Sequence, residues 1–444
     1  MSPRIASAHP VAASAGRPVA RHGWPPALAV VLAALVAMAV VAALGLWAAG
    51  AADLPKGAFL PVVLVTVVTA VGGTVELSGT AGDLARTNAG LTVVPLSVTL
   101  VGALVVARGF LRPLRHRAVA GGRELAGWAA RIAVLWLLAL VGLALGARHT
   151  FAVNVGSGTL SDLTDLLDAA PKVGFTADVP LTVAFGLLWL AGILLLALLV
   201  ARGAPLPGRL LRFQASVRPA AFAMVVFVLA YVGLALVIAL VAMVTRGHVK
   251  ETLAVILLGL PNLAWLALTL GLGATWKGRV DGPFGLPVPH VLAEVLRTPD
   301  VSTLNLRTIA AHDGRWWWLV GAAAVLLLAA AFLMAVRSPA RIRALQHALH
   351  LAIALALTML TLCLTGRISA HYGLSLLGIG DLGGNLSGDL LLRPQLWSAV
   401  GLGALWGLIA GFLGALLAGP VRRRGEVAYG PEALRPTARA HRRG

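Results

Sequence analysis

Charged residues are scarce in this chain of 444, at 12% against 59% hydrophobic residues, with a mean hydropathy of +0.89. Soluble domains carry about a quarter charged residues, so a water-soluble globular fold is excluded and most of the chain belongs in lipid. Cysteine is scarcer still. Cys363 stands alone inside the apolar stretch TLCLTG, which excludes an intrachain disulfide and reads as a small buried hydrophobe. No Walker A, HExxH or CxxC sequence occurs, so neither a nucleotide-driven motor nor a recognisable zinc site is offered, and no cofactor is expected. The apolar runs carry no charge except Arg131, near an end. Proton- and ion-coupled carriers place charged groups inside the membrane, where they are costly and mark a pathway. That signal is missing.

What the chain does have is arginine. The formal charge of +19 comes mostly from arginines in short blocks between apolar runs. Such blocks suit loops against an anionic inner leaflet, where each basic residue gains about 1 kcal/mol. The lipid bilayer is therefore the expected partner, and nucleic acid is not. Residues 1–23 read as a disordered cytoplasmic tail and 422–444 as a disordered basic one. Apolar runs at 27–49, 91–107, 127–147, 181–201, 220–244, 319–336, 347–366 and 396–418 are candidate crossings. Two further runs are interrupted: 57–75 by Pro61 and Gly72-Gly73, and 252–276 by Pro261-Asn262. The basic blocks after residues 107, 201, 336 and 418 all read as cytoplasmic. An odd number of crossings cannot return a chain to the side it left, so each interrupted run is read as a hairpin that does not cross. The expected fold is all-α: a polytopic transmembrane helix bundle of about eight spans plus two re-entrant or broken hairpins, with ten spans as the alternative.

Two membrane units follow, 24–218 and 219–421, with 277–315 as an extracytoplasmic insertion in the second and both termini cytoplasmic. Asp162-Leu163 answers Asp381-Leu382, and Gly186-Leu-Leu-Trp189 answers Gly403-Ala-Leu-Trp406. Pro95-Leu96-Ser97 and Pro283-Phe284-Gly285 form a weaker third pair. The expectation is a two-fold internal repeat of parallel units about an axis along the membrane normal. The acidic loop 148–180 reads as outside, with SDLTDLLDAA as a short surface helix capped by Thr159 or Ser161.

VELSGTAGDLARTNAGLTVVPLSVTL at 75–100, ETLAVILLGLPNLAWLAL at 251–268 and RISAHYGLSLLGIGDLGG at 367–384 resemble the streptophobe family, hydrophobic proteins of Streptomyces and related actinobacteria. The resemblance covers 27–418 and implies a plasma-membrane location, with no catalytic or ligand residues to carry over. The chain is similar, more distantly, to PerM-type membrane proteins associated with cell division, through the PLS at Pro95 and the LPN at Pro261.

Few residues remain as candidates for chemistry. Gly378-Ile-Gly380-Asp-Leu-Gly383 matches GxGxxG, but no strand is expected before it and no βαβ unit around it. Asp381, Asn385 and Asp389 miss the spacing of a calcium loop. His347 and His350 share a helix face and read as an interfacial pair, and His290 with Glu294 has no partner for base work. Glu76 and Asn262 stand as the candidate polar membrane site, against the plainer readings of an interfacial carboxylate and a helix-capping amide. Gly403, Gly407 and Gly411, at four-residue spacing, form a helix-packing face. With no nucleophile and base paired in the spans, no enzyme and no catalytic or metal residues are expected. The function expected is an envelope scaffold with envelope protein partners; the alternative is a transporter-like protein for uncharged or lipidic cargo, with a midplane cavity between the units.

Overall fold

The computed structural model describes residues 23–54, 57–81, 85–116, 122–152, 171–201, 208–280, 302–339, 343–376 and 388–420. Expectations that rest on 1–22, Asp162, Pro283, His290, Glu294, Asp381, Asn385 and 422–444 fall outside the described residues.

Each long helix shows how lipid selects its residues. Helix α1 (Trp24–Ala48) starts on Pro25 and Pro26, whose missing N–H groups cost nothing in a first turn. Ala27, Val31, Ala34, Met38, Ala42 and Gly45 form a buried stripe at helical spacing. Leu28, Leu32, Val36, Val40 and Leu44 lie on the other side and are exposed. Trp24 and Trp47, both half-exposed, stand near its two ends, separated by about 35 Å at 1.5 Å per residue. That matches a hydrocarbon layer of about 30 Å between two headgroup belts.

The other helices are α2 (Phe59–Ala70), α3 (Leu96–Leu111), α4 (Gly122–Gly146), α5 (Val179–Val200), α6 (Gly208–Arg246), α7 (Val249–Leu258), α8 (Leu260–Gly271), α9 (Leu306–His312), α10 (Trp318–Arg337), α11 (Ala344–Thr365) and α12 (Leu396–Leu417). Seven of the described helices are long and apolar enough to cross a membrane: α1, α4, α5, α6, α10, α11 and α12. Their outward faces leave residues such as Leu138, Leu188 and Val325 exposed, which a protein surrounded by water would bury. The protein is a multi-pass membrane protein built as a helix bundle. The bent pair α7–α8 and the short helices α2 and α3 complete it.

Two boundaries differ from the sequence reading. The run at 91–107 is not one span: residues through Thr92 belong to a strand, and α3 starts at Leu96 after Pro95 and reaches Leu111. The run at 252–276 breaks at Gly259, two residues before Pro261, and the two arms are bent by 75°. Proline lacks the N–H that would bond four residues back, so its effect falls on the preceding turn, while Pro261 itself sits comfortably in the first turn of α8.

The sequence reading contained no strands; the structure has one eight-stranded antiparallel sheet. Its strands are β1 (Val75–Ala81), β2 (Ala85–Thr92), β3 (His149–Ala152), β4 (Pro171–Ala177), β5 (Trp276–Val280), β6 (Ser302–Leu304), β7 (Ile368–Leu376) and β8 (Gly388–Pro394), in the order β3-β4-β1-β2-β7-β8-β5-β6. Within 277–315, the described residues supply most of β5, all of β6 and α9. Because all four strand pairs share one sheet, the helix ends that lead into them lie at one end of the bundle. The ends bearing Arg108, Arg112, Arg218 and Arg337 lie at the other. Helix α1 runs antiparallel to α3: a Cβ added at Gly109 would meet Val30, and one at Gly102 would meet Met38.

The element order divides between α5 and α6, so residue 218 falls inside α6 rather than at a boundary. On each side the chain runs long helix, short or bent helix, strand pair, helix, helix, strand pair, helix. Strand order within the sheet is also the same on each side, β3-β4-β1-β2 and β7-β8-β5-β6, joined at β2 and β7. Each side packs its own core, one around Trp128, Trp136 and Leu140, the other around Phe227, Leu355 and Met359. The short helix ends the same way in both. Gly72 N–H donates to the Thr69 carbonyl and Gly73 N–H to that of Val68; Gly273 donates to Leu270 and Ala274 to Thr269. Gly72 and Gly273 take φ of 91° and 90°, the left-handed position of a Schellman cap.

Candidate functional site

At the break between α7 and α8 the two halves exchange hydrogen bonds. Ser97 Oγ donates to the Ile256 carbonyl at 2.8 Å. Asn262 Nδ2 donates to the Val94 carbonyl at 2.9 Å, while its Oδ1 accepts from Leu96 N–H at 3.1 Å. Leu96 opens α3, whose N-cap, Pro95, has no side chain able to cap it. Asn262 does cap a helix, but one 166 residues away in the other half. Thr99 Oγ1 adds a bond to the Ala70 carbonyl at the end of α2, at 2.6 Å. The first turn of α3 is therefore tied to α2, α7 and α8 at once.

Beside Asn262 lies a cavity of about 40 Å³ lined by Leu96, Trp265, Trp276, Leu362 and Leu392 among others. That volume admits a water molecule or two and nothing larger. Trp265 Nε1 is buried without a hydrogen-bond partner. Trp276 Nε1 instead donates to Thr269 Oγ1 at 3.0 Å, and the Thr269 hydroxyl donates in turn to the Leu266 carbonyl at 2.8 Å.

Glu76 is not part of this joint. It is exposed on β1, opposite Gly90 on β2 and Thr176 on β4. The structure therefore leaves the two candidate polar residues separate: one on the sheet surface, one engaged by backbone. Gly403, Gly407 and Gly411 face α11 closely enough that an added Cβ would come within 2.8 Å of Met359 Cγ, 2.5 Å of Ala352 Cα and 2.7 Å of Ala348 Cα. His347, in the first turn of α11, is buried at 1% exposure, and its carbonyl lies 2.9 Å from where a Gly411 Cβ would be. The α11–α12 approach encloses it. The GxGxxG stretch at 378–383 falls in sequence between β7 and β8 and lies outside the described residues. Among the described residues, His, Cys, Asp and Glu nowhere gather in threes at metal-binding spacing.

Ser97 and Thr99 were missed as joint residues by the sequence reading. The only signal was their place after Pro95, where a helix start needs outside partners. No protein-family model, curated protein or solved structure matches the chain.

Proposed function

We propose that this is a bacterial plasma-membrane scaffold that holds envelope proteins at its strand-bearing end, with both termini cytoplasmic and with two parallel halves that are copies of one unit. The observation that carries the scaffold reading is the joint. Asn262, the polar residue at the break, is engaged on both sides by Val94 and Leu96, and the adjoining cavity is about 40 Å³. A midplane site for cargo needs a free polar group or several hundred cubic ångströms. The recurring strand order and the paired Schellman caps support the duplication. Arginines at the end away from the sheet support the cytoplasmic assignment. The resemblance to streptophobe proteins supports the compartment.

A photo-crosslinking amino acid at Ser78 or Thr150, both exposed on the sheet, tests this in intact cells. A discrete adduct with another envelope protein is expected. Lipid adducts alone would count against a scaffold. The 75° bend beside the cavity favours a second reading, a carrier of apolar cargo. That reading requires Leu263→Cys, on the cavity wall, to react with soluble thiol reagents from both sides of the membrane; the scaffold leaves it protected.

A further inference from the structure

The sheet carries a row of cations across its membrane-proximal end. Lys277 on β5 stands directly opposite Arg393 on β8, and on its other side opposite Thr303 on β6. Arg367, the residue before β7, continues the row by one step beyond the Ile368–Leu392 pair. All four are exposed. Trp276, Leu304 and Leu392, their neighbours along the strands, are buried, so alternation puts the row on the outward face. Like charges directly opposite one another destabilise a sheet, and among the described residues no carboxylate pairs with Lys277, Arg367 or Arg393.

The first half makes the contrast. At the matching positions it has Glu76 for Lys277 and Thr176 for Arg393, again directly opposite each other. The matching is fixed by two hydrogen bonds: Asp178 N–H to the Thr74 carbonyl, and Gln395 N–H to the Thr275 carbonyl, each two pairs closer to the helices. Arg148, the residue before β3, answers Arg367, so the row in the first half is neutral where that in the second half is all cationic.

The level of the row identifies what neutralises it. Arg367 lies two residues past the end of α11, and Arg393 three residues before the start of α12, within about 10 Å of the helix ends at strand rise. Trp397, 90% exposed, and Trp317 and Trp318, about half-exposed, stand at this end of the bundle, as interfacial tryptophans do. The row spans two inter-strand spacings, about 10 Å, close enough for a lysine and two arginines to converge on one phosphate with charge-assisted bonds.

We propose that Lys277, Arg393 and Arg367 bind the phosphate of an anionic phospholipid in the leaflet on the sheet side. The site is present in the second half only.

The full chain, reconstituted in phosphatidylcholine vesicles containing a headgroup-photoreactive phosphatidylglycerol, is expected to cross-link at 276–279 and 393–397. K277T/R393T, which carries neutral residues on exposed positions, should lower that yield about tenfold, with thermal stability unchanged. Cross-links at the Arg108 and Arg112 end should persist as an internal control. E76K/T176R should create a second cross-linked patch in the first half. Equal labelling by photoreactive phosphatidylcholine, or an undiminished yield from K277T/R393T, would overturn the proposal. Loss of the cross-link in excess inorganic phosphate would assign the row to free phosphate and overturn the lipid.

Discussion

The two halves of this protein share a backbone plan and fill it differently. In the first half a Cβ at Gly73 would lie 2.5 Å from Val68 Cγ1 and 2.8 Å from Thr182 Oγ1. In the second half the cap position holds Ala274, and Ala399 stands where Thr182 would be. One half uses glycine against a larger partner, the other alanine against a smaller one. The last helices diverge in the same manner. Gly186 packs on Leu140 as Gly403 packs on Met359, but the next two steps are Leu190 and Leu194 in α5 and Gly407 and Gly411 in α12. Leucines keep α5 off α4; glycines bring α12 onto the backbone of α11. The comparison teaches that hydrogen bonds at helix ends set the plan, while side-chain volume sets how tightly each half closes.

The largest effect is expected from giving α12 the residue of α5. Gly407→Leu drives a side chain into the Ala352 backbone and should cost about 3–5 kcal/mol, read as a large fall in thermal unfolding temperature in detergent. Tolerance would mean that the α11–α12 approach is not close. Next is the joint between halves. Asn262→Leu leaves the Leu96 N–H and Val94 carbonyl without partners and should cost about 2–3 kcal/mol, again by thermal unfolding; Ser97→Ala should cost about 1 kcal/mol. A smaller effect sharpens the cap comparison. Gly73→Ala should destabilise by about 1–2 kcal/mol, and adding Thr182→Ala, which reproduces the second half, should recover part of it in a double-mutant cycle. Thr182→Ala alone should be near neutral or stabilising, since Thr182 Oγ1 is buried without a partner. Strict additivity of the pair would break the proposed correspondence.

The helices were legible because lipid demands long apolar runs, and the interrupted run at 252–276 because proline and asparagine are rare in such a setting. The strands were not. VELSGTA and ARTNAGLT mix small, polar and charged residues beside apolar runs, so Val75 read as the end of a hairpin and Leu91 as the start of a span. Their partners lie far away in sequence: Ala85 pairs with Leu376, and Val75 with Ala177. Asn262 was visible as an unusual residue, but its partners, at Val94 and Leu96, are set by packing between halves. The Lys277–Arg393 row was hidden for the same reason, since a register across strands cannot be read from either strand alone.

The central claim is that both halves point the same way, so that all eight strands make one sheet on one side of the membrane. It is tested most directly with a membrane-impermeant thiol reagent on Thr150→Cys, Thr303→Cys and Arg343→Cys, each in a Cys363→Ala background, in intact and lysed cells. All three positions are exposed, and Cys363 is buried. Labelling of positions 150 and 303 in intact cells, with 343 protected until lysis, is the predicted result. Labelling of 150 with protection of 303 would place β3 and β6 on opposite sides of the membrane and contradict the single sheet.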